Sequence, residues 1–128
     1  FFSFEESRNI SNSVIKVDIN LKIYLVRSFS WVKDYARSSY TLNHEQRHFD
    51  LVKMSAERFK RKINSQSITA DNFEGILSFE YLESLREMNR LQVQYDKETG
   101  HGTNQAAQDA WNSKIDKELK SFNLLSMN

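Results

Sequence analysis

The chain has no cysteine and no proline, and only three of its 128 residues are glycine. Without cysteine it can form neither disulfide bonds nor thiolate metal sites, although this absence does not indicate a compartment, since many exported proteins share it. No apolar run reaches the length of about 18 residues that a membrane-spanning helix needs. The 18 basic and 17 acidic residues nearly cancel, so the charge gives no reason to expect nucleic acid or an anionic membrane as a partner.

The length of the chain suits a single domain. A chain of 128 residues can bury a hydrophobic core but is too short for two comfortable domains, so we interpret residues 1–128 as one. The sequence begins FFSFEESRNI, without an initiator Met and without the pattern of a signal peptide. We therefore expect a trimmed or mature fragment, the C-terminal part of a longer chain whose N-terminal strands are missing.

Apolar residues follow two different periods in the first half of the chain. Over residues 14–26 they alternate strictly with polar residues, which predicts a long β-strand with one buried face. Because one strand does not make a sheet, we expect partner strands upstream of this chain or within residues 1–10. From about residue 40 to residue 63 the steps are three and four residues instead, which predicts an amphipathic helix. The buried stripe of this helix is expected to consist of Phe49, Val52, Ala56, Phe59 and Ile63.

Two further helices are predicted in the second half of the chain. The first begins after Asp71 as N-cap, which forms a capping-box pattern with Glu74, and runs to about Tyr95. The second covers roughly residues 105–122. Their apolar stripes are expected to be Leu77, Tyr81, Leu85, Met88 and Tyr95 in the first, and Trp111, Ile115, Leu119 and Phe122 in the second. The order strand, helix, helix, helix predicts an α+β domain.

The segment TLNHEQRHFD, residues 41–50, contains two histidines four residues apart, His44 and His48, with Glu45 directly after the first. On a helix, residues four apart differ by about 40° in direction, so both histidines project from one face and Glu45 lies at its edge. In zinc hydrolases with this H-E-x-x-H pattern, two imidazoles hold the metal and the glutamate takes a proton from the activated water. We therefore predict Zn²⁺ as cofactor, His44 and His48 as ligands and Glu45 as general base; the alternative is a chance spacing of two histidines.

A catalytic zinc ion needs a third protein ligand. His101 is the only other histidine and lies between Gly100 and Gly102, whose conformational freedom suits a loop that directs a side chain into a cleft. We predict His101 as the third ligand, with Glu98 as the alternative. By the helical rise, Glu87 would lie level with the zinc ion, but it shares its face with other charged residues and we reject it.

Three more polar residues lie near these motifs. Asp50 is about 200° around the helix from His48, so it is expected to point away from the metal and to pair with Arg47 or a neighbouring element. Asp96 is expected to orient an imidazole from behind or to act as a helix-end charge. Tyr95 is either a group that polarises a substrate carbonyl or a core residue.

The segments LNHEQRHFDL and YDKETGHGTNQAAQDAW together resemble a bacterial family of predicted secreted zinc-dependent proteases, catalogued as a domain of unknown function (number 922). The family pattern runs from an SW segment through HEQxHFD and YDxETxHG to a QxxW helix. The matching positions are Ser30 and Trp31, residues 44–50, residues 95–102 and residues 108–111. The resemblance covers about residues 24–120, and the chain departs from the pattern at Arg47, where a small residue is expected.

The resemblance implies a zincin-like metallopeptidase fold, with zinc bound by His44 and His48, Glu45 as base and His101 at the position of the family's motif histidine. It also implies a secreted or periplasmic location and a peptide or protein substrate, which the long strand can bind at its edge. A second hypothesis is a catalytically idle, metal-stabilised binding domain of the bacterial cell envelope. A third is a structural helical module without metal.

Overall fold

The computed structural model describes residues 2–11, 14–23 and 39–126. Two strands are followed by three helices, an α+β arrangement. The elements are β1 (Phe2–Ser11), β2 (Val14–Ile23), α1 (Ser39–Asn64), α2 (Phe73–Glu98) and α3 (Gln105–Ser126). None of the helices in this part of the chain combines the length and the apolar character that crossing a membrane requires.

The two strands form an antiparallel hairpin in which Phe2 lies opposite Ile23 and Ser11 lies opposite Val14. A connection of only two residues requires this antiparallel pairing. The predicted strand is confirmed as β2, and residues 24–26 of the prediction lie outside the described residues. Its partner β1 occupies the N-terminal segment, one of the two places where a partner was expected.

Helices α1 and α2 run antiparallel, and each has 26 residues. The predicted helices are confirmed, but the predicted capping box at the start of α2 is wrong. The N-cap is Asn72, which makes no side-chain cap hydrogen bond. Its Oδ1 accepts a hydrogen bond from the Thr69 amide at 2.7 Å instead. The chain thus turns one residue later than the Asp71–Glu74 pattern predicts, because the Asn72 side chain stabilises the preceding loop.

Among the described residues, the larger of two hydrophobic cores lies between the hairpin, the C-terminal half of α1 and the part of α2 from Phe73 to Met88. It consists of Phe2, Val52, Ala56, Phe59, Ile63, Ile68, Phe73, Leu77 and Met88. Tyr81 attaches the hairpin to the helices, since its ring meets that of Phe2 edge-on at 5.4 Å and its hydroxyl donates to the Phe2 carbonyl at 2.5 Å. The predicted stripe of α1 is confirmed except at Phe49, which is only partly buried.

The second core lies on the other flank of α1, against α3 and the C-terminal half of α2. Its members are Leu51, Met54, Tyr95, Trp111, Ile115 and Phe122, and Leu119 packs against them. The stripe predicted for α3 is therefore confirmed. Helix α1 buries Leu51 and Met54 in addition to its predicted stripe, because it contacts neighbours on two sides. This central position fixes the side chains at the N-terminal end of α1 between α2 and α3.

Two buried hydroxyl groups give the first prediction. Ser55 and Ser84 are each 2% exposed, and neither hydroxyl has a hydrogen-bond partner among the described residues. A buried polar group without a partner costs about 1–3 kcal/mol. Ser84→Ala is therefore expected to raise the free energy of unfolding by about 1 kcal/mol, measured by urea denaturation. Ser78→Ala, at an exposed position of the same helix, controls for helix propensity; an equal gain in both variants would contradict the prediction.

Candidate metal centre

Helices α1 and α2 bring three ligand-type side chains together. His44 and His48 lie in the N-terminal part of α1, and Asp96 lies near the C-terminal end of α2. The Nε2 atoms of His44 and His48 are 3.1 Å and 2.7 Å from the same atom, Asp96 Oδ1. One ligand atom from each of the three residues lies within 4.8 Å of the others. We call this group the metal-binding cluster; among the described residues it is the group of ligand-type side chains able to hold a metal ion.

The composition of the metal-binding cluster fits a divalent transition metal. Two imidazole nitrogens and one carboxylate oxygen match the three protein ligands of a catalytic zinc site. Two ligand atoms of a tetrahedral zinc ion lie about 3.3 Å apart, close to the distances that separate the imidazoles from Asp96. The side chains of His48 and Asp96 are 23% and 32% exposed, so solvent can reach the cluster.

The imidazole of His44 packs closely against Tyr95 and Gly102. The Tyr95 ring stacks on it with centroids 4.7 Å apart and an interplanar angle of 12°. Gly102 also lies close to this ring, because a Cβ atom at that position would be 3.0 Å from His44 Cγ. Gly102 has a φ of +91°. Glycine is therefore needed at this position both for the backbone conformation and for the close approach to the ring.

The turn at residues 100–102 has a different role from the predicted one. All three residues have positive φ, and the amides of Gly100 and His101 donate to the carbonyls of Lys97 and Asp96 at 3.2 Å and 2.8 Å. These two hydrogen bonds form a Schellman motif that ends α2. The side chains of His101 and Glu98 are both exposed, and neither belongs to the metal-binding cluster. His101 as third ligand stays a prediction, and the residue that the structure brings beside His44 and His48 is Asp96.

The position of Asp96 follows from the way α1 pairs with α2. The predicted pairing assumed that α2 starts directly opposite the end of α1, which put Glu87 level with His48. In the structure, the loop between the two helices carries Ile68 into the core, and α2 starts at Phe73. His48 therefore faces Gln92, and His44 faces Asp96.

Glu87 has a structural role on another face of the helix pair. Arg58 and Lys62 both donate to its carboxylate. Burial opposes the ionisation of Glu87, but the hydrogen bond from Arg58 and the charge of Lys62 outweigh it and hold the pKa of this carboxyl below its ordinary value. Glu87 is therefore engaged in ion pairs, and it does not belong to the metal-binding cluster.

Glu45 and Tyr95 are each next in the chain to a member of the metal-binding cluster, but they differ in burial and in hydrogen bonding. Glu45 is partly exposed, and no described residue forms a hydrogen bond or ion pair with its carboxylate. Tyr95 is fully buried, and burial raises the pKa of its hydroxyl to about 12. That hydroxyl donates to the His44 carbonyl at 2.9 Å. Tyr95 is thus a core residue that supports His44, whereas the Glu45 side chain, next to His44 in the chain, is not engaged by the described residues.

Arg47 links α1 to α3 through an ion pair with Asp116. It donates two hydrogen bonds to the carboxylate of Asp116 and lies 3.4 Å from Asp50 Oδ2. The predicted pairing of Asp50 with Arg47 is confirmed. The hydrogen bond to Asp116, opposed by burial, raises the pKa of Arg47 above its ordinary value. Arg47 therefore stabilises the contact between two helices.

Comparisons with known proteins do not identify a relative: no family model, no curated protein and no solved structure matches the chain. The resemblance to the secreted zinc-dependent proteases stays a prediction. The metal-binding cluster of His44, His48 and Asp96, with Glu45 beside it, is the observation from which a function can be inferred.

Proposed function

We propose that the protein is a zinc-dependent peptidase with a zincin-like fold that hydrolyses bonds in a peptide or protein substrate. The observation that supports this proposal is the convergence of His44 Nε2 and His48 Nε2 on Asp96 Oδ1. Glu45 directly follows His44 in the chain, and no described residue pairs with its carboxylate. Mixed nitrogen and carboxylate ligands favour Zn²⁺, whereas Ca²⁺ and Mg²⁺ prefer oxygen ligands alone.

Each residue of the site has a distinct part in the proposed hydrolysis. A zinc ion held by the cluster would lower the pKa of water to about 7 and polarise the substrate carbonyl. Glu45 accepts a proton from the attacking water and passes it to the leaving amine. Asp96 contributes a negative charge that offsets that of the cation. Tyr95 and Gly102 hold the His44 ring in one orientation.

The content of metal tests the first half of this proposal. Protein purified without chelator is expected to contain about one zinc ion per chain, measured by inductively coupled plasma mass spectrometry. Removing it with a chelator is expected to lower the melting temperature, because ligand at 100 times its Kd adds about 2.7 kcal/mol to the stability of the folded state. Equal melting temperatures with and without chelator would count against a metal site.

Measuring peptide hydrolysis tests the second half of the proposal, the peptidase activity. The zinc-loaded protein is expected to cleave members of a random peptide library, to lose this activity on chelation and to regain it when zinc is returned. Mass spectrometry of the products shows which bonds are cut. A protein that binds one zinc ion and is stabilised by it, yet cleaves no peptide, would be the metal-stabilised binding domain of the second hypothesis.

A further inference from the structure

Each histidine of the metal-binding cluster turns its second ring nitrogen towards a glutamine. His44 Nδ1 lies 2.8 Å from Oε1 of Gln108, a fully buried residue of α3. His48 Nδ1 is hydrogen-bonded to Oε1 of Gln92 in α2. Both rings therefore lie between an amide group on the Nδ1 side and Asp96 on the Nε2 side.

The neighbours of Gln108 determine which way its amide faces. Gln108 Nε2 lies 2.8 Å from the Tyr95 hydroxyl and 3.0 Å from Asn112 Oδ1. The Tyr95 hydroxyl donates its own hydrogen to the His44 carbonyl. It must therefore accept from Gln108 Nε2. The Oε1 atom of Gln108 is then an acceptor, so His44 Nδ1 carries a hydrogen.

The same reasoning applies to Gln92 with a simpler set of contacts. Gln92 Nε2 lies 3.1 Å from the backbone carbonyl oxygen of His48, which can only accept a hydrogen bond. This contact requires the NH₂ group on that side and leaves Gln92 Oε1 facing His48 Nδ1. His48 Nδ1 must therefore donate, and the neutral ring carries its hydrogen there.

A neutral imidazole with hydrogen on Nδ1 has its lone pair on Nε2. In both rings that lone pair faces Asp96 Oδ1, at 3.1 Å for His44 and 2.7 Å for His48. Two lone pairs directed at a carboxylate oxygen repel it, and a metal cation bound by all three atoms would replace this repulsion with coordination.

We propose that Gln92 and Gln108 are positioning residues, which hold His48 and His44 in the Nδ1–H tautomer so that both Nε2 lone pairs are directed at the metal before it binds. Neither glutamine is a ligand; each acts through the imidazole that it contacts, as hydrogen-bond partners behind metal ligands do in other sites. The inference rests on the metal-binding part of the proposed function and does not require peptidase activity.

Nuclear magnetic resonance of the histidine rings tests this inference directly, because two-bond proton–nitrogen correlations distinguish the tautomers. The measurement uses the metal-free chain above the ordinary imidazole pKa of about 6.5. His44 and His48 are expected in the Nδ1–H form. His101 is exposed, has no hydrogen-bond partner among the described side chains, and serves as internal control in the Nε2–H form that free histidine favours.

Variants show whether the glutamines cause this preference. Gln92→Leu is expected to release His48 alone from the Nδ1–H tautomer, and Gln108→Leu to release His44 alone. Each is expected to weaken zinc binding by about 10- to 100-fold, the range for hydrogen-bond partners of metal ligands. Gln94→Leu, at an exposed position two residues from Gln92, is the matched control. Circular dichroism checks that each variant is folded. If Gln108→Leu does not fold because Gln108 is buried, Gln92→Leu alone tests the role of the glutamines.

The outcomes separate this inference from the proposed function. Nε2–H tautomers for both histidines in the wild-type chain, or coordination of zinc through Nδ1, would overturn it. Unchanged tautomers and zinc affinity in both leucine variants would overturn it too. A wild-type chain with both Nδ1–H tautomers that binds no zinc would contradict the proposed function while leaving the role of the two glutamines in setting the tautomers intact. If the metal-free chain unfolds, the same resonances are read in the zinc-loaded protein.

Discussion

Glu45→Gln is expected to lower the rate of peptide hydrolysis by about two to four orders of magnitude, the usual range for loss of a general base, while zinc content stays at the wild-type level. The amide has nearly the size of the carboxylate but cannot accept a proton. Because no described residue forms a hydrogen bond or ion pair with the Glu45 carboxylate, its replacement removes no known structural contact. The measurement is kcat/KM per zinc-loaded chain.

The matched control for this variant is Glu57→Gln, which changes a partly exposed glutamate of the same helix. It lies twelve positions further along, or about 18 Å at the helical rise, too far to act on the same substrate bond. Activity in Glu57→Gln is expected to equal that of the wild type. Full activity in Glu45→Gln would mean that another group accepts the proton, and loss of zinc from Glu45→Gln would mean that Glu45 holds the metal or its ligands.

Asp96→Ala is expected to weaken zinc binding by more than the roughly 10- to 100-fold that partners behind the ligands typically contribute. Its carboxylate oxygen is the atom on which both imidazoles converge. Removing it leaves two neutral ligands and takes away the negative charge that opposes that of the cation. Affinity is measured by competition with a chelating dye of known Kd, and the loss of zinc is also expected to abolish the stabilisation by metal.

His101→Ala and Glu98→Ala are the controls for Asp96→Ala, since both side chains are exposed. Neither is expected to change zinc affinity measurably. The comparison decides between the structure and the sequence-based prediction of the third ligand. Loss of zinc from His101→Ala, with binding retained in Asp96→Ala, would make His101 the ligand and return Asp96 to the orienting role that the sequence analysis considered.

The secondary structure of the described residues was predictable because each element shows its own pattern of burial. β2 was predictable from alternation, and the helices from their apolar steps of three and four residues. The predictions that were wrong or incomplete concerned features that depend on contacts with other parts of the chain. The N-cap of α2 moved to Asn72 because its side chain bonds to Thr69, and α1 buries Leu51 and Met54 because α3 packs on a flank that one stripe does not describe.

In the candidate site, too, some features follow from the local sequence and others only from the tertiary structure. The sequence by itself determined that His44 and His48 share a face with Glu45 at its edge, since a spacing of four on a helix is local geometry. Gly100 and Gly102 were visible in the sequence, but only the structure shows that they end α2 and cover His44.

The partners of the two histidines were decided by tertiary structure alone. Asp96 and Gln92 reach the imidazoles because α1 and α2 pair in one particular register, which depends on how far the loop carrying Ile68 extends the chain before α2 begins. Gln108 reaches His44 only because α3 packs on the remaining side of α1. A shift of one helical turn between two helices moves a side chain by about 5.4 Å, which is more than the reach of a metal ligand. No local pattern in the sequence specifies that register, because it results from the packing of residues far apart in the chain.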